Sequence, residues 1–229
     1  RVFRLFHKER PLLERKDWLT AKRNKPHSKW TFGELLEDLG AQIPAWRVNA
    51  QDELIGRGAK HRLDLIKAIE SGKLSEGQET WAVWALGRMP GWPSDAEYSF
   101  GKWSKPDAKV SLNLRVQSVR IWGESGEIKA FKHIAARLGD KEPRVRFAAA
   151  IAMRNLKKLE RGAEKPLLDA LSAETDRVTF YAQWHTLRSM LEVEERRKHL
   201  TDKRSGVRLG ALLSLLEEDA LDKVDVIEL

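Results

Sequence analysis

The chain has 229 residues, 41% of them hydrophobic and 33% charged, with no cysteine and a formal charge of +8. A chain of this length can bury roughly 70% of its unfolded surface as one extended domain or two small ones, and its composition suits amphipathic helices better than a compact sheet or a disordered chain. The lack of cysteine excludes disulfides, thiolate metal sites, Cys nucleophiles and C-x-x-C-H haem attachment, and no window approaches the ~18 apolar residues of a membrane-spanning helix.

Residues 1–29 come first and read as a basic connector that opens on the strand-like run Arg1-Val2-Phe3-Arg4-Leu5. Residues 1–30 hold ten Lys/Arg against three Asp/Glu, so +7 of the +8 lies there and the rest of the chain is nearly neutral. Nucleic-acid or anionic-surface binding, the usual inference from a basic chain, is thereby confined to this lead-in. The start at Arg1 and the closing apolar run Val224, Val226, Ile227 and Leu229 suggest a piece of a longer polypeptide with another domain upstream.

Residues 30–229 carry an internal repeat. Its pattern is apolar, Arg, two variable positions, small, three variable positions, large apolar. Val145, Arg146, Ala149 and Met153 form the best copy, and Trp46-Arg47-Ala50-Leu54, Leu114-Arg115-Ser118-Trp122 and Val207-Arg208-Ala211-Leu215 repeat it. Weaker copies are Gln78-Glu79-Ala82-Leu86 and Val178-Thr179-Ala182-Thr186, where Leu187 takes over the last position. Anchors at 46, 78, 114, 145, 178 and 207 recur every 29 to 36 residues, the period of a helical-repeat array.

Offsets of 0, 4 and 8 place three packing residues on one helix stripe, the small one at the close approach to a neighbour. A second apolar-periodic stretch precedes each copy, such as Phe131, Ile134, Ala135 and Leu138, so each unit is a helix pair. Pro44, Gly56 with Gly58, Gly72, Gly123, Gly139 with Pro143, Gly162 with Pro166, and Gly206 punctuate the joints. Thr31 with Glu34 and Ser75 with Gln78 have capping-box spacing. The predicted fold is all-α, an α-α superhelix of about six helix pairs, interrupted by an irregular Trp, Pro and Gly-rich insertion at 90–111.

Arg47, Arg115, Arg146 and Arg208 recur immediately after the anchor. Stacked in register they form a ladder whose forked donors reach carboxylates or loop carbonyls of their own or the next repeat, a mainly structural role. Of nine tryptophans, Trp46, Trp81, Trp84, Trp122 and Trp184 lie inside the helical pattern and are expected in the core. Trp18, Trp30, Trp92 and Trp103 lie outside it and are the binding candidates, since exposed Trp is enriched at interfaces. No histidine has metal-ligand spacing, His185 beside Trp184 reads as a satisfied interior histidine, and no nucleotide, hydrolase or cofactor motif occurs. The expectation is a segment with no catalytic residue, metal or cofactor of its own.

Pro143, Val145, Arg146, Ala149 and Ala152 resemble a HEAT repeat of the PBS-lyase type. Leu36, Leu39, Pro44, Trp46, Arg47, Ala50, Gln51, Leu54 and Gly58, followed by Ala82, Trp84, Ala85 and Leu86, are similar to the HEAT region of the planctomycete-type membrane-bound dehydrogenase and c-type cytochrome proteins. That resemblance implies a HEAT-like solenoid acting as a non-catalytic scaffold for protein or inter-domain contacts, as the helical module of a larger periplasmic or extracytoplasmic oxidoreductase. Arg1 to Leu5 would then be the closing strand of a preceding propeller. The alternative is a nucleic-acid-binding HEAT-like protein similar to the alkylation-repair DNA glycosylases. The near-neutral body disfavours it, because a groove that grips duplex needs many phosphate-neutralising bases on one face.

Overall fold

A computed structural model describes residues 25–90, 94–106, 110–156 and 162–221. Among these residues the structure is helical with no strand, and no helix is long and apolar enough to cross a membrane. Twelve α-helices lie among the described residues. They fall into two compact units, one up to Gly91 and one from Trp92, and follow one another as helix pairs within each unit.

The first unit holds α1 (Phe32–Asp38), α2 (Pro44–Arg57), α3 (Ala59–Glu70) and α4 (Glu76–Arg88). Both capping boxes form. The Glu34 amide donates to Thr31 Oγ1 at 3.2 Å while Thr31 N–H donates to Glu34 at 2.7 Å, and Ser75 and Gln78 repeat the exchange. Gln78 also donates its side-chain amide to the Leu36 carbonyl at 3.1 Å, which explains a polar residue at an anchor position. Pro44 starts α2 where its missing N–H is harmless, and Gly58, at φ +56°, ends it. Leu35, Leu39, Ala50, Leu54, Leu65, Ile69, Ala82 and Leu86 form the core.

The boundary of the basic connector needs correction. Lys25 Nζ bonds Glu34 at 2.7 Å, His27–Lys29 form a 3-10 turn, and Trp30 is buried with its indole N–H on the Lys25 carbonyl. Residues 25–29 therefore pack with the first repeat. Arg1 to Leu5 lie outside the described residues.

The second unit holds α5 (Ser94–Trp103), α6 (Leu112–Ser125), α7 (Phe131–Ala135), α8 (Pro143–Asn155), α9 (Lys165–Ala173), α10 (Arg177–Met190), α11 (Val193–Arg197) and α12 (Ser205–Leu216). The second helices α6, α8, α10 and α12 pack side by side in one layer, and α7, α9 and α11 back them. The expected irregular insertion at 90–111 thus contains a helix, and α5 is the first member of the pair that α6 completes. Phe100 and Trp103, one helical turn apart, are buried and meet edge to face at 5.7 Å. Pro and Gly at the ends of this stretch hid a helix of ten residues.

Two joint assignments also change. Gly123 lies inside α6, where an added Cβ would stand 2.5 Å from the Ala152 Cα of α8, and Gly126, at φ +63°, is the residue that closes α6. Gly206 lies in the first turn of α12, where a Cβ would meet the Leu171 carbonyl oxygen at 2.3 Å. Both glycines mark backbone contact between helices rather than chain reversal.

Candidate functional site

The second helices begin at residues 44, 76, 112, 143, 177 and 205. Five of the six expected anchors lie two residues further on. The exception is Val178, which is 62% exposed, whereas Thr179 is buried together with Gln183 and Leu187. The correct register of that copy is Thr179, Gln183 and Leu187, and the start of α10 at Arg177 fixes it. Thr179 tolerates the anchor position because its hydroxyl bonds the Asp176 carboxylate at 2.7 Å and lies 3.2 Å from the Pro143 carbonyl.

The repeat arginines reach the loops before their helices. Arg47, Arg146 and Arg208 each donate Nη1 to the carbonyl six residues upstream, on Ala41 at 2.6 Å, Asp140 at 2.9 Å and Asp202 at 2.8 Å. Each guanidinium thereby ties down the loop before its own helix. Arg146 goes further and clamps Glu174 of the next pair through Nε at 2.8 Å and Nη2 at 2.6 Å, which raises the guanidinium pKa. Arg115 is buried and bridges to the Asp140 carboxylate. Arg47 also lies 5.7 Å from the Trp81 ring.

Two of the four tryptophans proposed as contacts are described. Trp30 and Trp103 are buried, at 3% and 2% exposure, and offer a partner almost no area; Trp18 and Trp92 lie outside the described residues. Of those expected in the core, Trp122 and Trp184 are buried, while Trp46, Trp81 and Trp84 are half-buried.

A different set is exposed. Two residues after the anchor the repeat places Val48, Phe147, Tyr181 and Leu209, exposed by 41%, 38%, 54% and 48%. Phe147, Tyr181 and Leu209 stand on neighbouring helices of the second unit, so they line up across its layer. Along α8, between α6 and α10, this stripe deepens into a groove of about 530 Å³, floored by Val116, Ala148 and Thr179 and walled by Phe147, Ile151 and Val178. Pro143, Arg144 and Asp176 complete the wall at the helix starts, and Arg120 joins it from within α6. Asp176 caps α10 through the Thr179 N–H at 2.8 Å, and these bonds hold its carboxyl below the ordinary range.

Further along the same helices, His185 stacks on Trp184 at 3.9 Å and lies 4.2 Å from the Tyr181 ring. Its Nε2 has no hydrogen bond, and the Glu217 carboxylate is 3.7 Å away, so the expected satisfied interior histidine is half-buried and incompletely paired. Burial holds its imidazole below the ordinary value; Arg188 and Arg154 push the same way and Glu217 opposes them. Among the described residues no group of three or more His, Asp or Glu is placed to hold a metal ion.

Among the described residues these features define an all-helical repeat fold with exposed apolar residues along α8, α10 and α12. No family model matches the chain, and comparison with curated proteins finds no match. Among solved structures it is similar to the X-ray structure of YibA from Escherichia coli, with a TM-score of 0.57 and 15% identity over 92% of this chain and 78% of that one. At such low identity the likeness shows the fold alone, all-α and of the α-α superhelix type.

Proposed function

We propose that the chain is a protein-binding module whose contact face is the outward stripe of α8, α10 and α12. The observation that carries this reading is the recurrence of exposed Phe147, Tyr181 and Leu209 at one repeat position, joined by Val178 and Leu216. Contiguous exposed apolar area of this kind marks interaction surfaces on soluble proteins. Aromatic side chains beside arginine supply the residue types that dominate binding energy. In this reading the chain performs no chemistry of its own. The narrower role, as the helical module of a larger dehydrogenase or cytochrome protein, rests on the HEAT-region residues between Leu36 and Leu86.

Site-directed photocrosslinking tests the reading. The photoreactive residue p-benzoylphenylalanine is placed at position 147 and, as a control, at exposed position 172 on α9. The expected result is a discrete crosslinked protein from position 147 alone, identified by mass spectrometry and shown to bind the purified chain. Equal crosslinking from both positions, or none from 147, overturns the contact face.

A further inference from the structure

We propose that the groove along α8, between α6 and α10, receives an acidic amphipathic segment of a partner protein, its apolar side chains on Phe147, Ile151 and Val178 and its carboxylates on the arginines at either end. The proposal rests on the protein-binding reading and specifies the partner's chemistry. Its first support is the alternation of charge and apolar surface along the groove. Arg144 flanks it at the start of α8, and Arg120 of α6 adds a second guanidinium to its wall. Arg154 lies ten residues beyond Arg144 on the same helix, about 15 Å away by the helical rise.

Arg154 lies close enough to the neighbouring helix to act on the His185 imidazole, where Glu217 opposes it and Arg188, which acts in the same sense, is itself paired, so Arg154 is the free cation of this second end among the described residues. Among the described residues neither Arg144 nor Arg154 has an ion-pair partner. Arg188 pairs with Glu217 and Glu218, and the groove's own acid, Asp176, is committed to the Thr179 N–H and hydroxyl. Two unpaired guanidinium groups at opposite ends of an apolar trough are complementary to a segment with carboxylates outside a central apolar face. The length of α8, 13 residues or about 20 Å, seats about three turns of such a helix. A nucleic acid fits less well, because Val116, Pro143, Ile151 and Val178 give the middle of the groove to aliphatic groups rather than to phosphate donors.

The test uses the full chain and three fluorescent probes in physiological salt: a 14-residue helical peptide with Leu and Phe on one face and Glu elsewhere, the same peptide with Lys for Glu, and a 14-base-pair DNA duplex. The Glu peptide is expected to bind at least ten-fold more tightly than the Lys peptide. Arg144→Glu combined with Arg154→Glu should abolish that preference, and Val178→Asp should weaken the Glu peptide at least ten-fold. These side chains are exposed, so unchanged melting temperatures verify that each variant folds. Equal affinity for the two peptides, indifference to Val178→Asp, or displacement of the peptide by the duplex overturns the proposal. If it fails while position 147 still crosslinks a partner, the contact face stands and only its acidic specificity is lost.

Discussion

Arg146 of one helix pair and Glu174 of the next are joined at two points, Nε to one carboxylate oxygen at 2.8 Å and Nη2 to the other at 2.6 Å. The Glu174 side chain is fully buried, and it also accepts N–H bonds from Thr175, Asp176 and the Gln183 amide. One carboxylate therefore gathers the loop between α9 and α10 and fastens it to α8.

Removing the cation should cost more than a surface pair would. Arg146→Ala leaves a buried carboxylate with three remaining donors, and about 2–3 kcal/mol is the expected loss, below the full penalty for an orphaned buried charge. Pairing Arg146→Ala with Glu174→Gln should recover about 1 kcal/mol or more of it. Urea unfolding of the two singles and the double measures this; strict additivity would mean the clamp contributes nothing.

Acid should loosen the same joint. The Glu174 carboxyl is held below its ordinary value because, although burial raises it, the bonds from Arg146 and the Asp176 N–H outweigh that effect. Glu34 is lowered to about 2, chiefly by its bond from Lys25 and then by the Thr31 N–H. A depressed carboxyl stabilises the fold above its unfolded pKa of about 4.3, and that stability is lost as pH falls through the folded value. For Glu34 the window runs from about pH 4.3 down to about 2. Melting temperatures from pH 6 to pH 2.5 should fall less steeply for Glu34→Gln and for Glu174→Gln than for the parent chain. Parallel curves would refute the assignment.

Close backbone approach gives a sharper prediction. At Gly123 an added Cβ would stand 2.5 Å from Ala152 Cα and 2.6 Å from its Cβ, and neither atom can swing aside as a long side chain can. Gly123→Ala, ordinarily favourable within a helix, should instead destabilise by about 1–3 kcal/mol. Ala149→Leu, at a fully buried position of the neighbouring helix, should cost a similar amount by overpacking. Stabilisation by Gly123→Ala in a thermal melt would show that α6 and α8 lie further apart.

Most of the fold was legible because packing repeats: the 0, 4, 8 stripe located five of six second helices, and cap chemistry located starts at Thr31 and Ser75. The stretch before α6 was not legible. Its proline and glycine neighbours and dense aromatics imitate a loop, and only the Phe100–Trp103 spacing, a single helical turn, speaks for a helix. Trp30 and Trp103 misled for a related reason, since falling outside a repeat pattern says nothing about burial. The exposed stripe was present in the sequence, in a position left as variable. Val48, Phe147 and Leu209 all follow their anchors by two, and an apolar residue on the face opposite a packing stripe signals a surface, although Val116 at the same position of α6 is buried. Tyr181 joins them only once the anchor is moved to Thr179, a shift that the start of α10 reveals.

Charge placement separates nonspecific DNA binding from the groove. Residues 1–24 hold eight Lys/Arg against three Asp/Glu, +5 of the chain's +8, whereas Lys25 is paired with Glu34 inside the first unit. A cut at Lys25 removes that charge and keeps the Lys25–Glu34 pair. The full chain should bind duplex DNA weakly, without sequence preference and with steep salt dependence, because such binding is driven by counterion release. The chain starting at Lys25 should lose most of that affinity and flatten the salt slope, and it should keep the parent's helical signal and its preference for the acidic peptide. Affinity titrations of both chains between 50 and 200 mM salt decide the matter. Submicromolar duplex binding by the shortened chain at physiological salt would place the nucleic-acid surface on the helical repeats, and the protein-binding reading of the α8–α10 face would give way to it.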